Sequence, residues 1–145
     1  MIKPFSLHTV LDYRGRLENL ARQKLMTAEQ AVRQLADEIA EVEAEIEERS
    51  AALAAKQHQG IDISEHIQLE EGLEYRRRQL TTLKDGMATL LENVENARGH
   101  LQKRSQEKKI MEKLKDRQNT AWRQHLDKKE AAQLDEIAIL YHGKK

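Results

Sequence analysis

The sequence contains no cysteine, and aromatic residues make up only 3% of its 145 residues. The lack of cysteine excludes disulfides, thiolate metal sites and thiol nucleophiles, and it is typical of a reducing compartment. So few large rings cannot fill a thick three-layer core. We therefore expect one folding unit over residues 1–145, in which the apolar side chains form a thin seam.

Residues that usually build catalytic or metal sites are scattered. None of the six histidines lies three or four positions from another, so no helix face presents two imidazoles. The chain has no glycine-rich phosphate loop, and long helices without a concave pocket cannot tune the pKa of a carboxylate. We predict no catalytic residue, no metal, no cofactor and no small-molecule substrate, so the protein is not expected to be an enzyme.

Long apolar runs are missing as well. No run approaches the roughly 20 residues that a helix needs to cross a bilayer. The first residues, MIKPFSLHTV, lack the apolar centre of a signal peptide. We expect a cytoplasmic protein whose membrane association, where it occurs, is peripheral.

The abundant residues are helix formers, and apolar residues recur at helical spacing. Steps of four and three alternate, as in the seam of a left-handed coiled coil. The first seam runs through Leu25, Ala28, Val32, Leu35, Ile39, Val42, Ile46, Arg49 and Leu53, preceded by Val10, Arg14, Leu17 and Ala21. The second runs through Leu69, Leu73, Arg76, Leu80, Leu83, Met87, Leu90, Val94, Ala97 and Leu101, and continues more loosely through Met111, Leu114, Trp122, Leu126, Ile137 and Leu140. The two seams predict two long helices.

The stretch KQHQGIDIS separates the seams. Gly60 can take the positive φ of a helix end, and Asp62 or Ser64 can cap the next helix. Asp62 and Glu65 also have the spacing of a capping box. We predict an all-α fold in which two long helices form an antiparallel coiled-coil hairpin; a parallel dimer of continuous helices is the alternative. The predicted bounds are helix 5–58, turn 59–64 and helix 65–141.

Charge is unevenly distributed although the formal net charge is zero. Residues 29–50 hold eight acids and two bases, whereas residues 98–129 hold eleven bases and four acids. In a hairpin that bends near residue 60, residue i faces about 120 − i, and opposite charges across the seam favour that register. The acidic stretch then faces Arg76, Arg77, Arg78 and Lys84. The second helix outruns the first by about 20 to 25 residues, or roughly 30 to 40 Å, so the basic end projects beyond it.

The basic stretch has three interpretations that the residues alone leave open. It is a solvated helix face, a face that docks on a protein, or a face that binds nucleic acid. Lysine and arginine attract nucleic acid through counterion release. Acids interleave with these bases, however, and stacking aromatic residues are nearly absent.

Two motifs in a fixed order suggest a family. The stretches ARGHLQKRSQEKKIMEKLKDRQ (97–118) and KKEAAQLDEIAIL (128–140) resemble the C-terminal helix of the FliJ family of bacterial flagellar export proteins. The stretch FSLHTVLDYRGRLENLA (5–21) is similar to the start of that family. Length, the single helical break and the order of EKLKDR and LDEIA agree, so the resemblance covers essentially the whole chain.

The resemblance implies a non-enzymatic helical hairpin of the flagellar type III export apparatus, which serves motility and chemotaxis. It would be similar in shape to the central stalk of rotary ATPases. Its joined chain ends would enter the export ATPase ring and promote ring assembly, while the rod contacts the cytoplasmic domain of the export-gate membrane protein and escorts substrate chaperones. Such a protein is cytoplasmic and peripherally associated with the inner face of the cell membrane. The alternatives are an injectisome stalk protein, or a generic or nucleic-acid-associated coiled-coil scaffold; nucleic acid is not an expected partner.

Carried onto this chain, the resemblance assigns residues to these contacts. The candidates that face the ATPase are Lys108, Lys109, Lys113, Lys115 and Arg117 of the basic motif, with Leu134, Asp135, Glu136 and Ile137 of the terminal motif. The candidates that face the export gate, chosen by their position on the faces flanking the bend, are Glu38, Val42, Glu45 and Arg76. Gly60 is the predicted turn residue.

Overall fold

The computed structural model describes residues 7–143, and over that range it consists of two α-helices. Helix α1 spans His8–Gln59 and helix α2 spans Ile63–Gly143. They pack against each other in antiparallel directions, which confirms the predicted all-α hairpin. The predicted start of the first helix at residue 5 lies outside the described residues.

A three-residue connection reverses the chain between the helices. Gly60 follows α1 with a φ of 95°, a left-handed conformation that glycine adopts without steric cost. The backbone carbonyl of Asp62 accepts a hydrogen bond from the N–H of His66 at 2.9 Å, so Asp62 is the N-cap residue of α2. The carboxylate of Glu65, expected in a capping box, accepts a hydrogen bond from Lys56 Nζ across the turn at 2.9 Å.

The helices contribute to two compact units. The hairpin unit comprises Arg22–His100 and contains the turn. The described residues of the terminal unit are 7–21 and 101–143, which comprise Leu7, the beginning of α1 and the end of α2. That residues 1–145 form a single domain stays a prediction.

The core of the hairpin unit is a thin seam between α1 and α2. Its buried apolar side chains are those of Val42, Leu53, Leu73 and Val94. All four belong to the predicted seams, and most other seam residues are half-buried. Full burial of one such side chain contributes about 1.5 to 3 kcal/mol. The stability of this unit therefore depends on a narrow line of interhelical contacts.

Contacts across the hairpin unit define its register. Arg76 NH2 lies 3.1 Å from Glu45 Oε1. A Cβ atom placed on Gly86 would lie 3.9 Å from Leu35 Cδ2. In both pairs the residue numbers sum to 121, close to the value of about 120 expected from the position of the turn.

Opposite charges flank this seam. Glu45 Oε1 also lies 2.8 Å from Arg49 NH2 within α1, and Lys84 Nζ lies 3.8 Å from Glu43 Oε1 across the seam. Exposed pairs of this kind contribute only about 0.2 to 1 kcal/mol each. They favour the antiparallel register, while most of the stabilisation comes from apolar burial.

Two glycine substitutions should change stability in opposite directions. In Gly60→Ala the new Cβ meets no atom within 4 Å, but the φ of 95° becomes strained, so we expect a loss of about 1 to 2 kcal/mol. Gly99 lies inside α2, and a Cβ there also meets nothing within 4 Å. We expect Gly99→Ala to stabilise the protein by about 0.5 to 1 kcal/mol. Urea unfolding followed by circular dichroism measures both changes, and a Gly60→Ala variant that is no less stable than the unsubstituted protein would contradict the strain assigned to Gly60.

Candidate docking surface

The basic motif of α2 is divided between two faces of the helix. Lys109, Lys113 and Arg117 follow one another at steps of four, so they share one face, and all three are exposed. Lys108 and Lys115 are separated by seven positions, lie on a different face and are half-buried. The structure therefore does not bring the five predicted residues together in one surface.

The half-buried lysines lie toward α1. Lys108 Nζ is 3.5 Å from Oε1 of Glu18 in α1 and 3.9 Å from Oε1 of Glu112 in α2. Glu18 is itself buried, with only 9% of its surface exposed. Lys108 and Lys115 line a groove together with α1 residues that include Asp12. Lys108 thus compensates a buried carboxylate, which leaves the exposed trio as the basic surface available to a partner.

A second ion cluster joins the two helices of the terminal unit. Glu107 Oε2 accepts a hydrogen bond from Arg14 NH1 of α1 at 2.8 Å and another from Arg104 NH1 at 3.1 Å. The hydrogen bond from Arg104 and the positive charges of Arg104, Arg14 and Lys103 hold the pKa of Glu107 below its ordinary value of 4.5, although desolvation opposes them. Glu107 is therefore ionised at neutral pH and connects α1 to α2.

The apolar pattern of the sequence does not predict the carboxylates of these two clusters. Neither Glu18 nor Glu107 lies in a predicted apolar seam. Arg14 does lie in one, and a charged group there needs a partner of opposite sign when it is taken from water. A base at a seam position was the signal that could have predicted acidic partners nearby.

The terminal motif lies on an exposed part of α2. The exposed fraction is 65% for Leu134 and 54% for Ile137. These two residues are three positions apart and share a face of the helix, whereas Asp135 and Glu136 occupy other directions. Because Leu140 is also exposed, the motif belongs to an apolar stripe rather than to one isolated side chain.

The candidates near the bend differ in accessibility. Val42 is buried in the seam, with 7% of its surface exposed. Glu45 and Arg76 are half-buried and form a pair with each other across the seam. Glu38 alone among the four is exposed. The structure therefore leaves Glu38 as the member of this set that a partner can contact directly.

Among residues 7–143, no group of three or more His, Asp or Glu side chains could hold a metal ion. Two histidines lie near single carboxylates of their own helix, His8 near Asp12 at 3.8 Å and His66 near Glu70 at 3.2 Å. In the described part of the chain, neither helix contains an apolar stretch long enough to cross a membrane.

The ion cluster at Glu107 predicts a specific loss of stability in acid. Because its pKa is lowered by folding, the stabilisation from ionised Glu107 is complete above the ordinary value of 4.5 and disappears as the pH falls through the folded-state pKa. Glu107→Gln should lower the free energy of unfolding at neutral pH, and its difference from the unsubstituted protein should shrink below pH 4.5. Urea titrations at several pH values measure this difference.

Glu95→Gln is the matched control. Glu95 Oε1 accepts a hydrogen bond from Arg98 NH1 at 2.7 Å, a contact within α2 alone. This substitution should have a smaller effect at neutral pH. A Glu107→Gln effect that stays constant into acid would show that Glu107 does not act through its charge.

The sequence is similar to a known protein family over nearly its whole length. Residues 3–145 match the family model described as "FliJ: Flagellar FliJ protein". No curated protein and no solved structure matches the chain. The family match includes the basic motif, the turn and the terminal motif, and it agrees with the resemblance seen in the residues. The chain therefore belongs to the FliJ family of flagellar export proteins.

Proposed function

We propose that this protein is a non-enzymatic component of the flagellar type III export apparatus that inserts its chain ends into the export ATPase ring and promotes ring assembly. Family membership supports a role in flagellar export. The protein would act by presenting helical docking surfaces, with no cofactor, no small-molecule substrate and no nucleic acid involved.

The observation that carries the proposal is the exposed trio Lys109, Lys113 and Arg117, which we call the basic face. Within the described residues no ion pair engages these three cations, whereas Lys108 lies against Glu18. The trio spans about 12 Å of helix at 1.5 Å per residue. Unpaired cations along one line attract an acidic or polar ring lining over about 8 to 10 Å at moderate ionic strength.

The half-buried lysines would have an indirect role in this mechanism. Lys108 compensates Glu18, and Arg14 and Glu107 join the same two helices, so these residues keep α1 against α2 in the part that enters the ring. The exposed Leu134 and Ile137 would add apolar contact area, with Asp135 and Glu136 beside them. Long lysine and arginine side chains can change rotamer, which suits a stalk that adjusts inside a ring.

The export gate would contact a different part of the chain. Residues 29–50 of α1 carry a net charge of −6, and Glu38 is exposed within them. We assign the contact with the cytoplasmic domain of the export-gate membrane protein to this acidic face, with Glu45 and Arg76 maintaining the helix pair beneath it. The hairpin would also escort emptied substrate chaperones, as a cytoplasmic protein held peripherally at the flagellar base.

Charge reversal of the basic face tests the contact with the ATPase. The triple variant Lys109→Glu, Lys113→Glu and Arg117→Glu should abolish stimulation of ATP hydrolysis by the flagellar export ATPase of the same organism. The reason is that three attractive contacts with the ring become repulsive. The assay is a titration of ATPase activity with the purified protein, at ATPase concentrations low enough that rings form poorly.

A control triple variant separates the effect of reversing the basic face from the effect of making the net charge of the protein more negative. Arg33, Arg77 and Arg78 are exposed bases of the hairpin unit, and changing them to Glu alters the charge by the same amount. This control should keep the stimulation, and circular dichroism should show unchanged helicity in both variants. Unimpaired stimulation by the basic-face variant would contradict the assignment, and steeply salt-dependent DNA binding without stimulation would favour a nucleic-acid-associated scaffold.

A further inference from the structure

The C-terminal part of α2 extends well past the beginning of α1. Helix α2 has 81 residues and α1 has 52. The contact between Arg14 and Glu107 sets a register in which His8, the first residue of α1, lies opposite about residue 113. We call residues 123–141 the C-terminal segment, and it begins about 10 positions beyond that point.

The C-terminal segment carries a coiled-coil seam of its own. Six of its residues follow one another at alternating steps of three and four: Arg123, Leu126, Glu130, Gln133, Ile137 and Leu140. Three of the six are apolar, and the exposed fractions are 37% for Leu126, 54% for Ile137 and 66% for Leu140. A seam with this spacing is covered only when a second helix packs along it.

We propose that a second copy of this chain covers the seam by antiparallel pairing around a two-fold axis. In the pairing that fits best, the numbers of facing residues sum to 263. Leu126 then packs on Ile137 of the second copy, and Ile137 packs on its Leu126. At each end of the seam, the aliphatic part of the Arg123 side chain of one copy packs on Leu140 of the other. Such an interface is isologous, because the same surface of each copy contacts the other.

The polar residues at the centre of the seam fit this pairing. Glu130 faces Gln133 of the second copy, so the side-chain amide of the glutamine can donate a hydrogen bond to the carboxylate. Because of the two-fold axis, the same contact occurs twice, once from each copy. In a parallel pair, Glu130 would face Glu130 and Arg123 would face Arg123, which places like charges in the seam. Polar groups in a coiled-coil seam are known to select orientation and register in this manner.

The charges beside the seam favour the same orientation. Lys129 and Glu136 are seven positions apart on one flank of the seam. Flanking residues that directly precede a seam residue pair with numbers that sum to 265, two more than for the seam itself. In the antiparallel register Lys129 therefore lies beside Glu136 of the second copy, and Glu136 lies beside its Lys129. Apart from Asp127, the bases of the whole C-terminal segment come before its acids. The bases are Arg123, Lys128 and Lys129, and the acids are Glu130, Asp135 and Glu136. Antiparallel pairing therefore places the basic half of each segment on the acidic half of the other.

The pairing covers part of the terminal motif. Ile137 lies in the seam and Glu136 lies beside it, and the proposed contact with the ATPase uses the same residues. If that proposed function holds, the second copy and the ring compete for one surface, and ring binding separates the pair. The pairing itself depends only on residues of this chain, and it is tested with the isolated protein.

Disulfide trapping tests the orientation, because the natural sequence has no cysteine. Arg123→Cys and Leu140→Cys are made as two separate full-length proteins, each of which is oxidised alone and after mixing with the other. We expect a cross-linked dimer only in the mixture, since residues 123 and 140 face each other. In the antiparallel pair, residue 123 of one copy lies about 25 Å from residue 123 of the other, and the same separation holds for residue 140. Cross-linking of either protein alone would indicate a parallel or different pair and would overturn the proposal.

Charge exchange tests the register in solution. Sedimentation of the full chain should show concentration-dependent dimerisation. Lys129→Glu or Glu136→Lys alone should weaken it about tenfold, because each change makes two attractive pairs repulsive. The double variant with both changes should dimerise as the unsubstituted protein does, since the pairs are restored with reversed sign.

The double variant also controls for damage to the helix, and circular dichroism verifies that each variant folds. If the double variant dimerises no more strongly than the two single variants, residues 129 and 136 do not pair across the seam. A chain that stays monomeric at the highest soluble concentration would overturn self-pairing as a whole. Loss of ATPase stimulation in the basic-face variant is a separate result, because Lys109, Lys113 and Arg117 take no part in this seam.

Discussion

The pairing of two narrow apolar stripes is the interaction on which this protein depends. Neither long helix can bury its stripe alone, and in the hairpin unit the buried side chains are only those of Val42, Leu53, Leu73 and Val94. Because a coiled-coil seam uses about two residues in every seven, most of each helix surface is left without a packing role. Charged residues, 34% of the chain, occupy those faces. Recognition can therefore vary on the outside of the helices without disturbing the contact that holds them together.

In the terminal unit the seam is partly ionic, and this difference has consequences for function. Glu18 is buried against Lys108, and Glu107 joins Arg14 to Arg104. Such layers lose much of their Coulomb gain to desolvation, yet removing one partner leaves an uncompensated charge, so they define pairing more than they strengthen it. They also divide the cations of the basic motif. Lys108 is half-buried and lies against Glu18, whereas its neighbour Lys109 is exposed.

The sequence was sufficient to predict the helices, the position of the turn and the interhelical register. In the hairpin unit these follow from two seams of nearly constant period that lie on either side of Gly60. The accessibility of individual bases could not be predicted. Lys108 and Lys109 are adjacent in sequence but about 100° apart around the helix, and between Leu101 and Met111 the apolar pattern is too sparse to define which side faces α1. The resemblance to the family came from the order of two motifs, because helical periodicity is shared by unrelated coiled coils, and the match over residues 3–145 shows the membership.

The C-terminal segment is subject to the same constraint as the hairpin, with a weaker seam. Glu130 and Gln133 interrupt its apolar residues, whereas the hairpin seam is nearly continuous. Each polar interruption removes apolar area and requires a hydrogen-bonding partner, so pairing there must be less stable than pairing along the hairpin. A weak seam suits a surface that has to exchange partners. The hairpin seam is the stronger of the two contacts, whereas the proposed pairing of the C-terminal segment is weak enough to be released when another protein offers a better fit.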